Sequence, residues 1–319
     1  MASTQQIKGR IKSVKSTKQI TKAMELVAAS KMRRAQETTL ASRDYTKTAR
    51  AILTRLRELT DVSKHPLFVA REVSSRILIV ITSDRGLAGA YNSNVLRTLA
   101  KELQSDRDNG VETKLILIGK QAAKFAAKIE GVNVLGSYSS MPEKPTLGDL
   151  QPILDTIKEL FVGKKEEKSV DEQEDEESSL YGSLYGQHDT NQIPPSVDAV
   201  DVLYTDYKSS VLQEVAQTRL LPAAFAAAHV SPDLELAIFE PSPKAVLNNV
   251  AERLVDVQFW QAYLESQASE QSSRMMAMKT ASDNAGELID DLTLAMNTAR
   301  QAAITQELAE ITGGAEAMK

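Results

Sequence analysis

Only one stretch of this 319-residue chain has residue types in an order that could cradle a charged ligand: Ser83-Asp84-Arg85-Gly86-Leu87-Ala88-Gly89-Ala90-Tyr91-Asn92. It follows a short apolar run and precedes a helical pattern. A strand, a glycine-bearing turn and a helix are the setting in which backbone amides hold phosphate. The order of residues argues against that chemistry. Neither G-x-G-x-x-G nor G-x-x-x-x-G-K-[ST] is present, and Asp84 would set a negative charge beside any phosphate. The loop reads as a structural turn in which Gly86 and Gly89 permit tight backbone geometry. No nucleophile, general base and orienting acid assemble in a recognisable motif elsewhere. His65, His188 and His229 lie beside Pro66, in a charged stretch and near Pro232, the ordinary surroundings of a loop histidine. With no cysteine there is no disulfide, no thiolate nucleophile and no cysteine-ligated zinc. Neither a cofactor nor a metal is expected.

The elements that carry this loop are set by where helix breakers fall. All 10 prolines lie between Pro66 and Pro243, and glycine is nearly absent from both ends of the chain. Excluding both residues from the ends argues for two unusually long helices. The first, over residues 1–60, carries an apolar stripe at Ile7, Ile11, Val14, Ile20, Met24, Val27, Ala28, Met32, Ala35, Tyr45, Ala49, Leu53 and Leu56. Such a stripe spans about 80 Å and must be buried against something equally long. The last helix, over residues 242–316, offers that surface. Val257, Leu264, Ala268, Met275, Met278, Ala285, Ile289, Leu292, Met296, Ala299 and Ala303 fall on a nearly strict 3.5-residue repeat, broken by Gln261, Gln271 and Ser282. Ser242 is a good N-cap, Pro243 suits the first helical position, and Gly313 and Gly314 supply a stop. An antiparallel pair follows if the middle returns the chain near where it left, with the longer C-terminal helix projecting beyond its partner.

The middle alternates strand and helix. Residues 76–82 (RILIVIT), 114–119 (KLILIG), 132–138 and 199–204 (AVDVLY) read as strands, and 94–104, 121–129 and 147–161 as helices. That order predicts a mostly parallel sheet with helices on its faces. The fold class is therefore α/β: a long antiparallel coiled coil of the N- and C-terminal helices plus a central Rossmann-like domain at 75–208. Within it, the acidic stretch 164–197 reads as a mobile surface insertion, and 209–241 reads as a connecting segment.

Charge is polarised along the chain. The net charge is −5, yet the first sixty residues carry roughly +10 and the rest roughly −15 by count of Lys and Arg against Asp and Glu. The basic helix wants acidic company. A nucleic-acid-binding coiled coil would use it on phosphates, but interleaved aromatics are absent and the acidic remainder repels them. No run of about eighteen apolar residues suits a bilayer span, and residues 1–10 lack a secretory apolar stretch.

The residues then become recognisable. The runs 7–11 (IKGRI) and 17–34 (TKQITKAMELVAASKMRR), the loop SDRGLAGAYN, 240–245 (EPSPKA), 268–270 (ASE), 276–279 (MAMK), 283–285 (DNA) and above all 299–308 (ARQAAITQEL) closely resemble the gamma subunit of F-type ATP synthases. The resemblance covers both ends and the first central strand. It implies a non-catalytic rotary shaft in the central stalk of a bacterial complex, turned by proton flow through a ring of c subunits. The shaft would sit in a head of three alpha and three beta subunits, with the epsilon subunit at its foot. It also implies a single copy per complex, no nucleic acid, and a peripheral place on the cytoplasmic face of the cell membrane. By match to the family, Met24, Lys31, Arg33 and Arg34 meet the acidic lever of the beta subunits. Arg300, Gln301 and Thr305 meet a beta-subunit loop, and Phe239 and Glu240 meet the c ring. Chloroplast members carry a cysteine pair that acts as a redox switch, which a chain without cysteine lacks.

Overall fold

The computed structural model describes residues 4–61, 65–142, 144–163, 196–223, 234 and 237–316. Two helices frame the chain: α1 (Thr4–Leu59) of 56 residues and α5 (Pro243–Glu316) of 74 residues. Between them run β1 (Ser75–Ile81), α2 (Tyr91–Asp108), β2 (Glu112–Ile118), α3 (Lys120–Ala126), β3 (Asn133–Tyr138), α4 (Leu147–Val162), β4 (Ala199–Tyr207) and β5 (Gln213–Leu221). The strands form one sheet in the order β3-β2-β1-β4-β5. The first four are parallel, and β5 alone runs antiparallel, against β4.

The sheet is covered on both faces, and the period of two along β1 decides what meets what. Ile77, Ile79 and Ile81 share a core with Ile153, Ile157 and Phe161 of α4 and with Ala251, Val255 and Phe259 of α5. Leu78 and Val80 face the other way, toward Val95 and Leu99 of α2 and Ala122 of α3. The lower part of α5 is thus both a shaft helix and a wall of the domain. This explains why its buried residues encircle it from Leu254 to Ser272, beyond the single seam read from the heptads.

One boundary differs from the sequence reading. The supposed connector 209–241 contributes β5, whose residues QEVAQTRLL lack an apolar run. An edge strand half-covered by its sheet needs none. The last helix ends at Glu316, as read, with Gly313 and Gly314 inside its final turn rather than beyond it. Its start is as read, with Ser242 Oγ accepting from the Ala245 amide at 3.2 Å. Of the acidic stretch 164–197, residues 164–195 lie outside the described residues. Ser196 and Val197 belong to the domain, the first bonded to the Leu160 carbonyl and the second buried.

Between β2 and α3 the chain passes through Gly119 at φ +93°, where a Cβ would stand 2.2 Å from the Thr82 carbonyl oxygen. Both the backbone conformation and the space exclude a side chain. Gly119→Ala should cost about 2–4 kcal/mol, the sum of a strained backbone and an overpacked contact, read as a lower denaturant midpoint at unchanged slope.

Candidate functional site

α1 and α5 lie side by side in opposite directions. A Cβ on Gly286 would stand 2.8 Å from Lys18 Nζ. At the other end Ala49, Leu53 and Leu56 pack with Leu247 and Leu254. On α1 the buried face is a strict heptad: Ile7, Val14, Thr21, Ala28, Ala35, Ala49 and Leu56 recur at multiples of seven, with Ile11, Met32, Thr39 and Leu53 in a second row. Ile20 and Val27, read as stripe residues, fall one position off it and are 61% and 56% exposed. Thr21 takes the place of Ile20, and it and Thr39 turn their hydroxyls onto the helix carbonyls of Thr17 and Ala35 at 3.1 and 2.8 Å. Neither hydroxyl is left without an acceptor in the seam. The Tyr45 side chain lies outside the described residues.

On α5 Val257, Leu264, Ala268, Met278 and Ala285 are buried, as is the polar interruption Ser282. Met275, Ile289, Leu292, Met296 and Ala299 are half-buried and Ala303 is exposed. The seam thins and then stops, because α1 ends. Beyond it residues 301–313 are all exposed, the projecting end that the unequal helix lengths predict.

The predicted contact residues divide into three groups along this shaft. Met24 and Lys31 are half-buried and Arg33 and Arg34 exposed. Met24, Lys31 and Arg34 line a cleft of about 1060 Å³ between α1, α5 and the C-terminal ends of β1 and β2. Arg85, Lys120, Lys144 and Arg274 supply four further cations, against the carboxylates of Asp84 and Glu270 alone. The cleft is therefore electropositive. Sequence reasoning missed these four cations because they come from four separate segments, and no local spacing announces them. Arg300, Gln301 and Thr305 stand on the exposed projection, about 40 Å further along at about 1.5 Å per residue. The Thr305 hydroxyl donates to the Gln301 carbonyl at 2.9 Å, which leaves its oxygen open as an acceptor. At the opposite end Phe239 packs into the cluster of Leu56 and Leu247, and Glu240 is exposed.

In the loop after β1 an aspartate stands at the helix N-terminus. Asp84 accepts from the Lys120 amide at the start of α3, at 3.1 Å, and from the Ser140 amide at 2.9 Å. Its carboxylate fills the place an anionic ligand would take at a helix N-terminus. Of the two glycines only Gly89 has a positive φ, +56°, and a Cβ there would stand an ordinary 3.7 Å from Ala277 Cβ of α5, so the backbone conformation rather than the space calls for glycine. Leu87, not Gly86, takes the second left-handed position, at φ +63°. Tyr91 fastens the loop to the shaft through its hydroxyl, 2.7 Å from Ser266 Oγ.

Glu270 is half-buried beside this loop and paired with Arg274 at 2.6 Å. Burial raises its carboxyl above the ordinary value of 4.5, against the pull of the Arg274 charge. A carboxyl raised in the folded state costs stability once pH exceeds the unfolded value, and the cost is relieved as pH falls back through the window above 4.5. Denaturation of the whole chain at pH 5 and pH 7.5 should therefore show a gain on acidification that Glu270→Gln lacks. An equal gain in the variant would assign it elsewhere.

Comparison with known proteins gives one answer over the whole chain. The family model described as ATP synthase matches residues 3–318. The "ATP synthase gamma chain" of Acidithiobacillus ferrooxidans is 37% identical over 320 residues, covering 100% of both chains. That of Heliobacterium modesticaldum is 37% identical over 325 residues, and that of Stenotrophomonas maltophilia 36% over 319, each again covering 100% of both chains. Among solved structures, a chain of the Euglena gracilis mitochondrial ATP synthase (OSCP/F1/c-ring) superposes with a TM-score of 0.63 at 16% identity, over 99% of this chain and 94% of that one. One from the central stalk/c-ring of the Tetrahymena thermophila enzyme gives 0.56 at 22% identity, over 82% and 99%. These two likenesses concern the fold, while the full-length identities carry the kinship: the chain belongs to the ATP synthase gamma-chain family.

Proposed function

We infer that this chain is the rotary shaft of an F-type ATP synthase, coupling proton-driven rotation of a c ring to the conformational cycle of three catalytic beta subunits. The observation that carries the reading is the antiparallel α1–α5 pair with an α5 end that is exposed and meets no other element among the described residues. A stiff two-helix rod, fixed to the domain through the α5 core residues, conveys torque. Its unpaired end presents different faces to the three sites of the head as it turns. Differential contact energy of that kind is what selects among conformations.

The contacts follow from the same layout. Met24, Lys31, Arg33 and Arg34 meet the acidic lever of the beta subunits, supported by the electropositive cleft beside them. Exposed ion pairs contribute only about 0.2–1 kcal/mol each, so several guide the shaft without locking it. Arg300, Gln301 and Thr305 meet a beta-subunit loop higher up. Glu240 faces the c ring, with Phe239 serving as its anchor in the chain's own apolar cluster. The epsilon subunit joins at the foot, one copy of the chain serves each complex, and the chain itself performs no bond chemistry. Among the described residues no helix is long and apolar enough to cross a membrane, which suits a peripheral place, on the cytoplasmic face. Reconstitution with alpha and beta subunits should give a complex with one copy per three catalytic subunits and sustained ATP turnover. A complex that forms and turns over without the chain would refute the assignment.

A further inference from the structure

We propose that the β4–β5 turn, residues 208–212, is a further contact with the head: an apolar knob that meets the lower end of one catalytic subunit at a time. The proposal rests on the shaft reading above. Val211 and Leu212 are 77% and 52% exposed at a turn, where Gly, Asn, Asp, Ser and Pro are the ordinary residues. A local rule broken this way points to a use outside the chain's own folding.

The knob is also held rigid. The Ser209 amide donates to the Leu212 carbonyl at 3.0 Å, and Ser209 Oγ accepts from the amides of Val211 and Leu212. From α5, Ser272 Oγ donates to the Ser210 carbonyl at 2.7 Å and Ser273 Oγ to Gln213 Oε1 at 3.1 Å. From α1, Gln36 bonds the Tyr207 hydroxyl. The turn is thereby fastened to both shaft helices and must rotate with them.

Its level on the shaft identifies the partner. Core residues of the sheet meet α5 at residues 251–263, whereas the β4–β5 turn and the Gly89 loop meet it at 272–277. The turn therefore stands on the rim of the domain nearest the projecting end, level with the cleft that Lys31, Arg34 and Arg274 line. Leu87 on the same rim, and Leu26, Val27 and Met276 on the shaft just beyond, are exposed as well. Apolar groups gathered where the domain ends and the shaft continues fit an apolar surface that descends around the shaft. The chain has one such turn and the head has three catalytic subunits, so at any angle it meets at most one of them.

The chain has no native cysteine, so Val211→Cys gives a unique thiol. Labelled with a thiol-directed benzophenone, assembled with alpha and beta subunits and purified as the complex, it should on illumination form an adduct with a catalytic subunit. The control is Asn109→Cys, exposed at the end of α2, where the chain enters the N-terminal end of the parallel strands, opposite the turn. Proximity predicts an adduct yield about tenfold above that control. A yield at control level, or an adduct only with non-catalytic subunits, overturns the proposal while leaving the shaft reading intact. Failure of the labelled and unlabelled chains alike to enter the complex overturns both.

Discussion

Arg76→Met should cost this chain about 3–5 kcal/mol, the loss expected when one partner is removed from a buried ionic cluster. Arg76 is the second residue of β1, and its guanidinium donates to Asp106 at 2.7 Å, to Asp201 at 3.0 Å and to Glu102 at 2.9 Å. Asp201 is also held by Arg219 at 2.8 Å, and Asp106 by the Thr113 hydroxyl. The group ties α2, β1, β4 and β5 together on one face of the sheet. Burial alone would lower the Arg76 pKa, but its bonds to Glu102 and Asp106 win and raise it, so the charge is never in play. Methionine keeps the volume and removes the charge, leaving three carboxylates without the cation that joined them. Trp260, the only tryptophan, stacks on Tyr263 at 5.9 Å in the adjoining core and reports unfolding by fluorescence. A midpoint within about 1 kcal/mol of the parent would show that water, not Arg76, satisfies the cluster.

That cluster marks the limit of what the sequence discloses. The two long helices were legible because they depend on local exclusions of proline and glycine and on a repeat of seven. The parallel strands were legible because strands covered on both faces must be apolar throughout, as 76–82 and 114–119 are. What escaped depends on partners distant in sequence. β5 is made by pairing with β4, and its own residues carry no strand signal. The encircling burial of α5 arises because the sheet claims one side and α1 the other, which a single-seam heptad cannot express. Ile20 and Val27 show the error within a correct reading: an apolar residue one step off a heptad looks like drift in sequence but is exposed in space. Of the site, the charge polarity of α1 was visible, and the four cations facing it across the cleft were not.

Those exposed apolar residues have a counterpart at the far end. Ile304, Leu308 and Ile311 are 49%, 59% and 68% exposed on the projecting part of α5. Their spacing of four and three places them on one face of the helix, an apolar stripe that meets no surface among the described residues. Such a stripe costs solubility unless a partner buries it. Replacing all three by serine should leave the free chain's stability within about 1 kcal/mol, since no buried contact is lost. In the complex each side chain is worth about 1.5–3 kcal/mol when fully buried, so even partial burial predicts that the variant is held by the alpha–beta head about 10²-fold more weakly. Competition between tagged parent and untagged variant chains during assembly measures the ratio. Equal incorporation would mean that the stripe is not gripped, and torque would then have to pass through the lower contacts at the cleft and the rim alone. A free chain destabilised as much as the complex would instead mean that the stripe folds back on its own protein. The length of α5 beyond α1 argues against that second outcome, because the described residues place no element within reach of residues 301–313.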